Sequence, residues 1–589
     1  MTARYPLCTL SFVTQPEAKS SLRLKRLSLL GAFLFAAQTV GFGATYYVDF
    51  AGGSDESPGI SAAEPWQHCP GDPLATGQPV ATGLAAGDRV VFKGGVAYAS
   101  TVRINGSGTP GNPIVYDGNS LGSFGSGKAI LDGEHVDDDS RRYGFRADQA
   151  RQHLEIRNFE VTRLGGYPNI YWTDSSLPPL SAGYGIELVN CSHVLVDSCY
   201  FHEIGAWTNA PHMTAAIMEG IGVSINKSGD SITISNCEFT RLGRGAVRVS
   251  ADTSATNIVI TGCDIHHYVR WGIDIVAARP SCTIRDVRIL GNRIRDIWQY
   301  RPETWLGLAG TWPHFDGIIM RVANHPQHPN VQLGTPGQPV LISGNTFYND
   351  GTSSSGTGTS MIFLTAFGGR VVVCNNTFVN TLQSYGGIYV QDIAPQNGTT
   401  PADYWFVNNT FYDVVSAINL RNVTAGFELT HGTFRIKNNV FYKASTDANF
   451  SVRVLDGTSN PTELNYNSYY TARPDGRLVQ FTAADGQKTY PTMEDLRSNG
   501  WELHGIEADP EFVNTSFGLG AQSSRNDVQL RDTSPCIQEG ENLSALFGQD
   551  MLGRTRPEVG PWTLGAFSAG VSFDPAPSQP AHLRVMPAP

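Results

Sequence analysis

The chain has 589 residues, with 42 Lys+Arg against 53 Asp+Glu, a formal net charge of −11, 41 % hydrophobic residues, 16 % charged residues and 63 glycines. So low a charge density excludes a long coiled coil. A net negative chain without long Lys/Arg tracts excludes nucleic acid as the main partner, and the apolar content excludes global disorder. The glycines follow no G-X-Y period, and a length that would otherwise allow several domains calls first for a search for repeats.

Arg23, Lys25 and Arg26 precede the apolar run Leu27 to Val40, and small residues follow at Gly41, Gly43 and Ala44. This is the pattern of a positive n-region, an apolar h-region and a cleavage zone. Residues 1–44 are therefore expected to be a leader and signal peptide, and the mature chain to be secreted, extracellular or periplasmic. No other stretch is long enough to span a membrane. Removing Cys8 from the nine cysteines leaves an even number, which in an exported chain points to disulfides.

A phrase then recurs: apolar-x-apolar-x-[Asn/Cys]-x-apolar, followed by a Gly and a second alternating run. ITISNCEF at 232–239 and VVVCNNTF at 371–378 are two instances. Its third-from-last position is Cys199, Cys237, Cys263, Asn292, Asn345, Asn376, Asn409 and Asn439, with spacings by subtraction of 38, 26, 29, 53, 31, 33 and 30. A period of about 30 marks a solenoid, and alternation of two marks strands. The expected fold is all-β, a single-stranded right-handed parallel β-helix with N- and C-terminal caps. An Asn at the same inward turn of every coil would form a ladder of satisfied amides. Stacked, parallel thiols at Cys199, Cys237 and Cys263 would not face one another as a disulfide requires, so these three are expected to be free.

Three places resemble the secreted right-handed β-helix proteins of the pectin-lyase-like superfamily. They are Ala44-Thr-Tyr-Tyr-Val-Asp49 with Pro65-Trp66 and Gly87-Asp88, then Gly108-Thr-Pro-Gly-Asn-Pro-Ile114 with Ala129-Ile-Leu-Asp-Gly133, and last Ala508-Asp-Pro-Glu-Phe512 with Gly553-x-x-Arg556-Pro557 and Leu564-Gly-Ala566. The resemblance implies the fold and a polysaccharide-active protein. It does not choose among lyases, hydrolases, epimerases and binding proteins. The expected organisation is a cap and first coils over 45–133, the β-helix with loop insertions over 134–475, and a C-terminal cap segment over 476–568. A short helix is expected at Met493–Ser498 and a flexible Pro/Ala-rich tail over 569–589.

The longest insertions, Gly165 to Ala182, Ala206 to Met218 and Trp298 to Pro313, carry Tyr171, Trp172, Trp207, His212, Trp298, Tyr300, Trp305 and Trp312. Aromatic loop walls suit stacking on sugar rings. Aligning the strand after each loop gives inward pairs such as Val247/Val249, Ile273/Ile275 and Ile318/Met320. The outward residues between pairs are Glu187, Ser224, Arg248, Asp274, Ile319, Phe363 and Tyr389. Asp274 and Asp316 then lie one coil apart and two residues offset, roughly 8 Å between Cα atoms. That spacing suits an inverting pair of carboxylates, one raised in pKa to act as acid. His314 stands just ahead of Asp316. His314-Phe-Asp-Gly-Ile318 also resembles the Asp-Gly-Ile strand of polygalacturonase-type hydrolases, whose Asp-Asp pair on the next coil and whose Gly-His-Gly are absent here.

Asp274, Asp316 and His314 are thus the candidate catalytic residues, and Arg248, Arg270, Trp271, Arg321, Glu187 and Tyr389 the candidate substrate contacts. Hydrolysis by paired carboxylates needs no cofactor. The alternatives are Ca²⁺-assisted β-elimination on uronates, with Asp274, Asp316 and Glu187 as oxygen ligands, epimerisation, or a non-catalytic carbohydrate-binding surface in which Arg248–Asp274 and Asp316–Arg321 are ion pairs. The expected partner is a polysaccharide, neutral or acidic, met by a monomer. The run His325-Pro-Gln-His328 reads as a solvated turn sooner than a metal site.

Overall fold

The computed structural model describes residues 43–136, 140–165, 182–205, 220–268, 270–280, 282–296, 316–323, 331–348, 359–365, 368–379, 386–392, 401–421, 432–443, 450–455, 462–471, 477–483, 486–515 and 528–568. The leader, the tail 569–589 and most of the three aromatic insertions lie outside them.

Each coil is a triangle of short strands. In three early coils the first two sides run on as Gly183–Asp197, Gly220–Ser235 and Gly245–Thr261. Further on they separate, as in Trp271–Ala277 and Thr283–Leu290. The third side is formed by strands such as Tyr200–Ile204, Glu238–Leu242 and Asp264–His266. Stacked coils build a 24-stranded and a 13-stranded sheet. Among the described strands every pairing is parallel except that of Val479–Ala483 with Gly486–Tyr490.

The period-two pattern fixes the register, because a one-residue slip would turn every apolar side chain outward. Ile186, Val223, Val247, Ile273, Ile318, Ile362, Ile388, Ile418, Val452 and Val479 pair in succession, forming one inward column that β-branched residues fill well. On the third side Phe347, Phe378 and Phe411 stack with ring centroids 4.7 and 4.6 Å apart, the spacing of neighbouring strands. Each such buried ring or branched chain contributes about 1.5–3 kcal/mol.

The asparagine ladder runs down one corner and has a direction. The backbone N–H and Nδ2 of Asn292 both donate to Asn345 Oδ1, at 2.9 and 3.0 Å, and the same two-pronged donation links Asn345 to Asn376, Asn376 to Asn409 and Asn409 to Asn439. At its upper end Cys263 N–H donates to Asn292 Oδ1 at 2.9 Å. Two members extend it: Asn439 donates to Asn467, and Asn467 Nδ2 donates to Glu502 Oε1 at 2.6 Å. A chain that hands its donors forward must end on a pure acceptor, and a carboxylate is one.

The residue before three of the inward asparagines, Asn376, Asn409 and Asn439, serves a second purpose. Asn375, Asn408 and Asn438 have φ of 55°, 51° and 58°, a left-handed turn that asparagine tolerates. Their amides point outward and hold the C-terminal segment. Asn375 Nδ2 donates to Gln549 O, Asn408 Nδ2 to Thr563 O and Gly565 O, and Asn438 Nδ2 to Glu541 O. Arg556 closes the same seam, donating to Asn375 Oδ1 and to Thr563 O and Gly565 O. The helix expected near the C-terminus spans Met493–Ser498, with Thr492 and Asp495 forming a capping box.

The cysteine count misleads. Cys199, Cys237 and Cys263 are free, as their stacking requires, but so are Cys69, Cys191, Cys282, Cys374 and Cys536, and all eight are buried. They fill the interior as small apolar side chains.

Burial pushes the Glu502 carboxyl up to about 7, despite hydrogen bonds from Asn467 and Tyr469. Its unfolded value lies near 4.5, so the folded chain holds this proton more tightly than the unfolded chain does. Its stabilising contribution is full below pH about 4.5 and falls as pH rises through about 7, a loss of about 3 kcal/mol. Urea unfolding at pH 5 and pH 8 should show this loss, and Glu502→Gln should remove that part of the pH slope. An identical slope in the variant would refute the assignment.

Candidate functional site

Three adjacent strands, Gly245–Thr261, Trp271–Ala277 and Asp316–Val322, bring the charged residues together. Arg248 pairs in register with Asp274, and Asp274 with Ile319. The strand carrying Arg248 must begin with glycine: a Cβ on Gly245 would lie 1.7 Å from the Trp271 carbonyl oxygen. That close approach sets Arg244 at the corner beside the next coil.

Asp274 is the hub. Its carboxylate, 2 % exposed, accepts from Arg321 Nε at 3.2 Å and Nη2 at 3.4 Å and from Arg244 Nη2 at 3.3 Å. Arg248 Nε stands 3.6 Å away. Burial alone would raise the carboxyl's pKa, but Arg321, Arg244 and Arg248 outweigh it and hold Asp274 below the usual carboxylate range. Trp271 lies against the same cluster. The guanidinium carbons of Arg270, Arg321 and Arg244 stand 3.9, 4.7 and 5.0 Å from its ring centroid, within cation–π range.

This geometry corrects several expectations. Asp274 cannot be the raised-pKa acid of a catalytic pair. Asp316 pairs in register with Trp271, so it lies three residues, not the expected two, upstream of the Asp274 level, which lengthens the expected spacing of roughly 8 Å to about 11 Å. It is fully buried, and its Oδ1 accepts from Thr359 Oγ1 and, at 2.9 Å each, from Ser360 N and Oγ. Arg321 bridges to Asp274 and not to Asp316. Glu187 lies three register steps from Asp274, about 14 Å, and is paired with Arg146 Nε at 3.1 Å. The oxygen set proposed for Ca²⁺ is therefore not assembled. Among the described residues no three His, Cys, Asp or Glu side chains are grouped to hold a metal.

Tyr389 is buried, stacked on Phe363 at 5.1 Å in a cluster with Trp271 and Ile319. It supports the sheet's outer face instead of presenting a ring to solvent. His266 and His267 turn to the third side, where His266 Nε2 faces Glu238 Oε1 at 3.2 Å. His314, the eight loop aromatics and the His325–His328 run lie outside the described residues. Arg244 is the member that the strand alignment missed. It precedes the alternating run, and its only signal was an arginine placed directly before a strand-opening glycine.

Residues 138–300 match the family model for a right handed beta helix region. The chain folds as a right-handed parallel β-helix. No curated protein matches its sequence. Similar solved structures include a rhamnogalacturonan lyase at 17 % identity, covering 67 % of this chain and 87 % of that one, with TM-score 0.45. Pectate lyase Pel9A follows at 14 % identity, 90 % and 98 % coverage and TM-score 0.43. The GH136 lacto-N-biosidase from Eubacterium ramulus has 12 % identity, TM-score 0.41 and coverage of 74 % of this chain and 64 % of its own. At these levels no residue of the cluster inherits a role from them.

Removing the hub charge should be expensive. Asp274→Ala removes the buried carboxylate that accepts from Arg244 and Arg321, and a loss of about 3 kcal/mol is expected on urea unfolding. A change below about 1 kcal/mol would overturn the role of Asp274 as the hub of the cluster.

Proposed function

We propose that this β-helix protein acts on an acidic polysaccharide, seating an anionic group of one sugar on Arg248, Arg270 and Arg321 beside Trp271. The observation that carries the reading is the convergence of four guanidinia on one carboxylate and one indole, within a chain of net charge −11. Guanidinium forks match carboxylates bidentately, and the buried Trp271 ring holds the arginines in place beneath them. Arg248 and Arg321 keep about a quarter of their side-chain surface open, so they reach outward while anchored on Asp274.

Cleavage by β-elimination fits this arrangement better than hydrolysis. Its arginines hold Asp274 ionised, and Asp316 Oδ1 is taken up by Thr359 and Ser360, so Asp274 does not supply the proton that hydrolysis needs. In elimination, arginine contact with a uronate carboxylate stabilises the negative charge that develops when the C5 proton leaves. A base takes that proton, the C5–H electrons form the C4–C5 double bond, and the bond from C4 to the glycosidic oxygen breaks. The departing oxygen keeps its electrons and takes up a proton. His314, two residues before Asp316 in the chain, is the base in this reading, since a neutral imidazole is suited to it near neutral pH.

The test is incubation with polyuronates and neutral glycans, following unsaturated-uronide absorbance beside reducing ends. Both signals should rise on an acidic glycan only. Arg270→Gln should lower kcat/KM by about tenfold or more, and His314→Ala should abolish turnover while sparing binding. Reducing ends without absorbance would replace elimination with hydrolysis. Cleavage of neutral glycans at equal rate would overturn the acidic substrate. Binding without any product would leave a non-catalytic carbohydrate-binding surface.

A further inference from the structure

A second cationic point lies on the same outer sheet face, further along the coils. Asp274, Ile319, Phe363, Tyr389, Asn419 and Arg453 occupy successive register positions. Five steps at the strand spacing place Arg453 about 24 Å from the Asp274 hub. Arg421 lies on the coil before Arg453, two residues beyond its partner Asn419, and alternation returns both side chains to this face. Both are partly exposed.

These two arginines differ from others in the sheet. Arg370 and Arg435 share Asp403, and Arg435 also reaches Glu463. Among the described residues no carboxylate forms an ion pair with Arg421 or Arg453. Arg453 Nε instead donates to the neutral Gln480 Oε1 at 3.0 Å. Burial and the like charge of Arg421 both disfavour its charged form. Two neighbouring guanidinia without an acid repel each other, and an arriving anion relieves that repulsion. Gln391, in register with Arg421, is partly exposed, and the buried Gln480 holds Arg453 in place.

We propose that Arg421 and Arg453 form a second anion subsite for the same acidic polysaccharide, so that the chain favours polymers long enough to reach both arginine points. The inference rests on the acidic-glycan reading of the Arg248–Arg270–Arg321 cluster and extends it to substrate length. The face between the two points is apolar and covered, formed by Ile319, Phe363 and Tyr389. The subsites are therefore separate charges, not one continuous strip.

The experiment compares an oligouronide trisaccharide with an octasaccharide, by calorimetric binding to the full chain and its variants. The unaltered chain should bind the octasaccharide more tightly. Arg421→Gln/Arg453→Gln should weaken the octasaccharide by about tenfold, equivalent to about 1.4 kcal/mol, and leave the trisaccharide unchanged. Arg453→Lys, which keeps the charge, should retain most of the preference, and thermal melting should report folded protein throughout. A length preference that survives the double substitution, or an equal loss for both oligomers, overturns the second subsite while leaving the first intact. Binding of neither oligomer by the unaltered chain overturns the acidic-glycan reading itself.

Discussion

The amides at one corner of each coil must find partners where water does not reach. A solenoid turning a buried corner every thirty residues or so would otherwise strand a donor pair at each turn, at roughly 1–3 kcal/mol apiece. The asparagine ladder answers this with one side chain per coil, each oxygen from Asn345 onward receiving two donors from the coil before. Because every link repeats the same geometry, the coils are held in strict register, and the outward faces inherit that register. Arg248, Asp274 and Arg321 meet only because the corner beneath them fixes which residue lies above which.

That inheritance explains the character of the site. A parallel sheet offers a flat, stiff outer face whose side chains are spaced by the strand separation and by the two-residue repeat. Charges placed there cannot drift together or apart, so a carboxylate set among three arginines stays ionised and keeps the guanidinia aimed. The cluster therefore suits recognition of an anion in a fixed place. It suits proton donation by Asp274 poorly, because the arginines that orient that carboxylate also suppress its protonation.

Much of this was legible in the sequence. The recurring Asn/Cys position revealed the ladder, and the inward aliphatic pairs gave the register that the strands adopt, down to Trp271 beside Asp316. Side-chain partnership was less legible. Arg321 lies on the same strand as Asp316, yet its long side chain reaches back one coil to Asp274, and Asp316 reaches forward to Thr359 and Ser360. Alternation says which face a residue takes but not which neighbour a flexible side chain chooses. Asn467 was available from its spacing of 28 after Asn439. Glu502 belongs to no repeat and has no periodic signal. The cysteines misled because export and an even count speak to the compartment, while their burial speaks only to packing.

The paired asparagines also constrain how such a chain can grow. The C-terminal segment is tied to Asn375, Asn408 and Asn438, so the separation of these three coils is matched to the contour of residues 541–565. An extra coil inserted among them would pull the segment out of step with its anchors. A whole coil added before Asn345 would lengthen the stack and leave every anchor where it is. Lineages built on this plan should therefore vary in length toward the N-terminal half, where the aromatic insertions and the first arginine cluster lie, and keep a constant number of coils under the C-terminal seam.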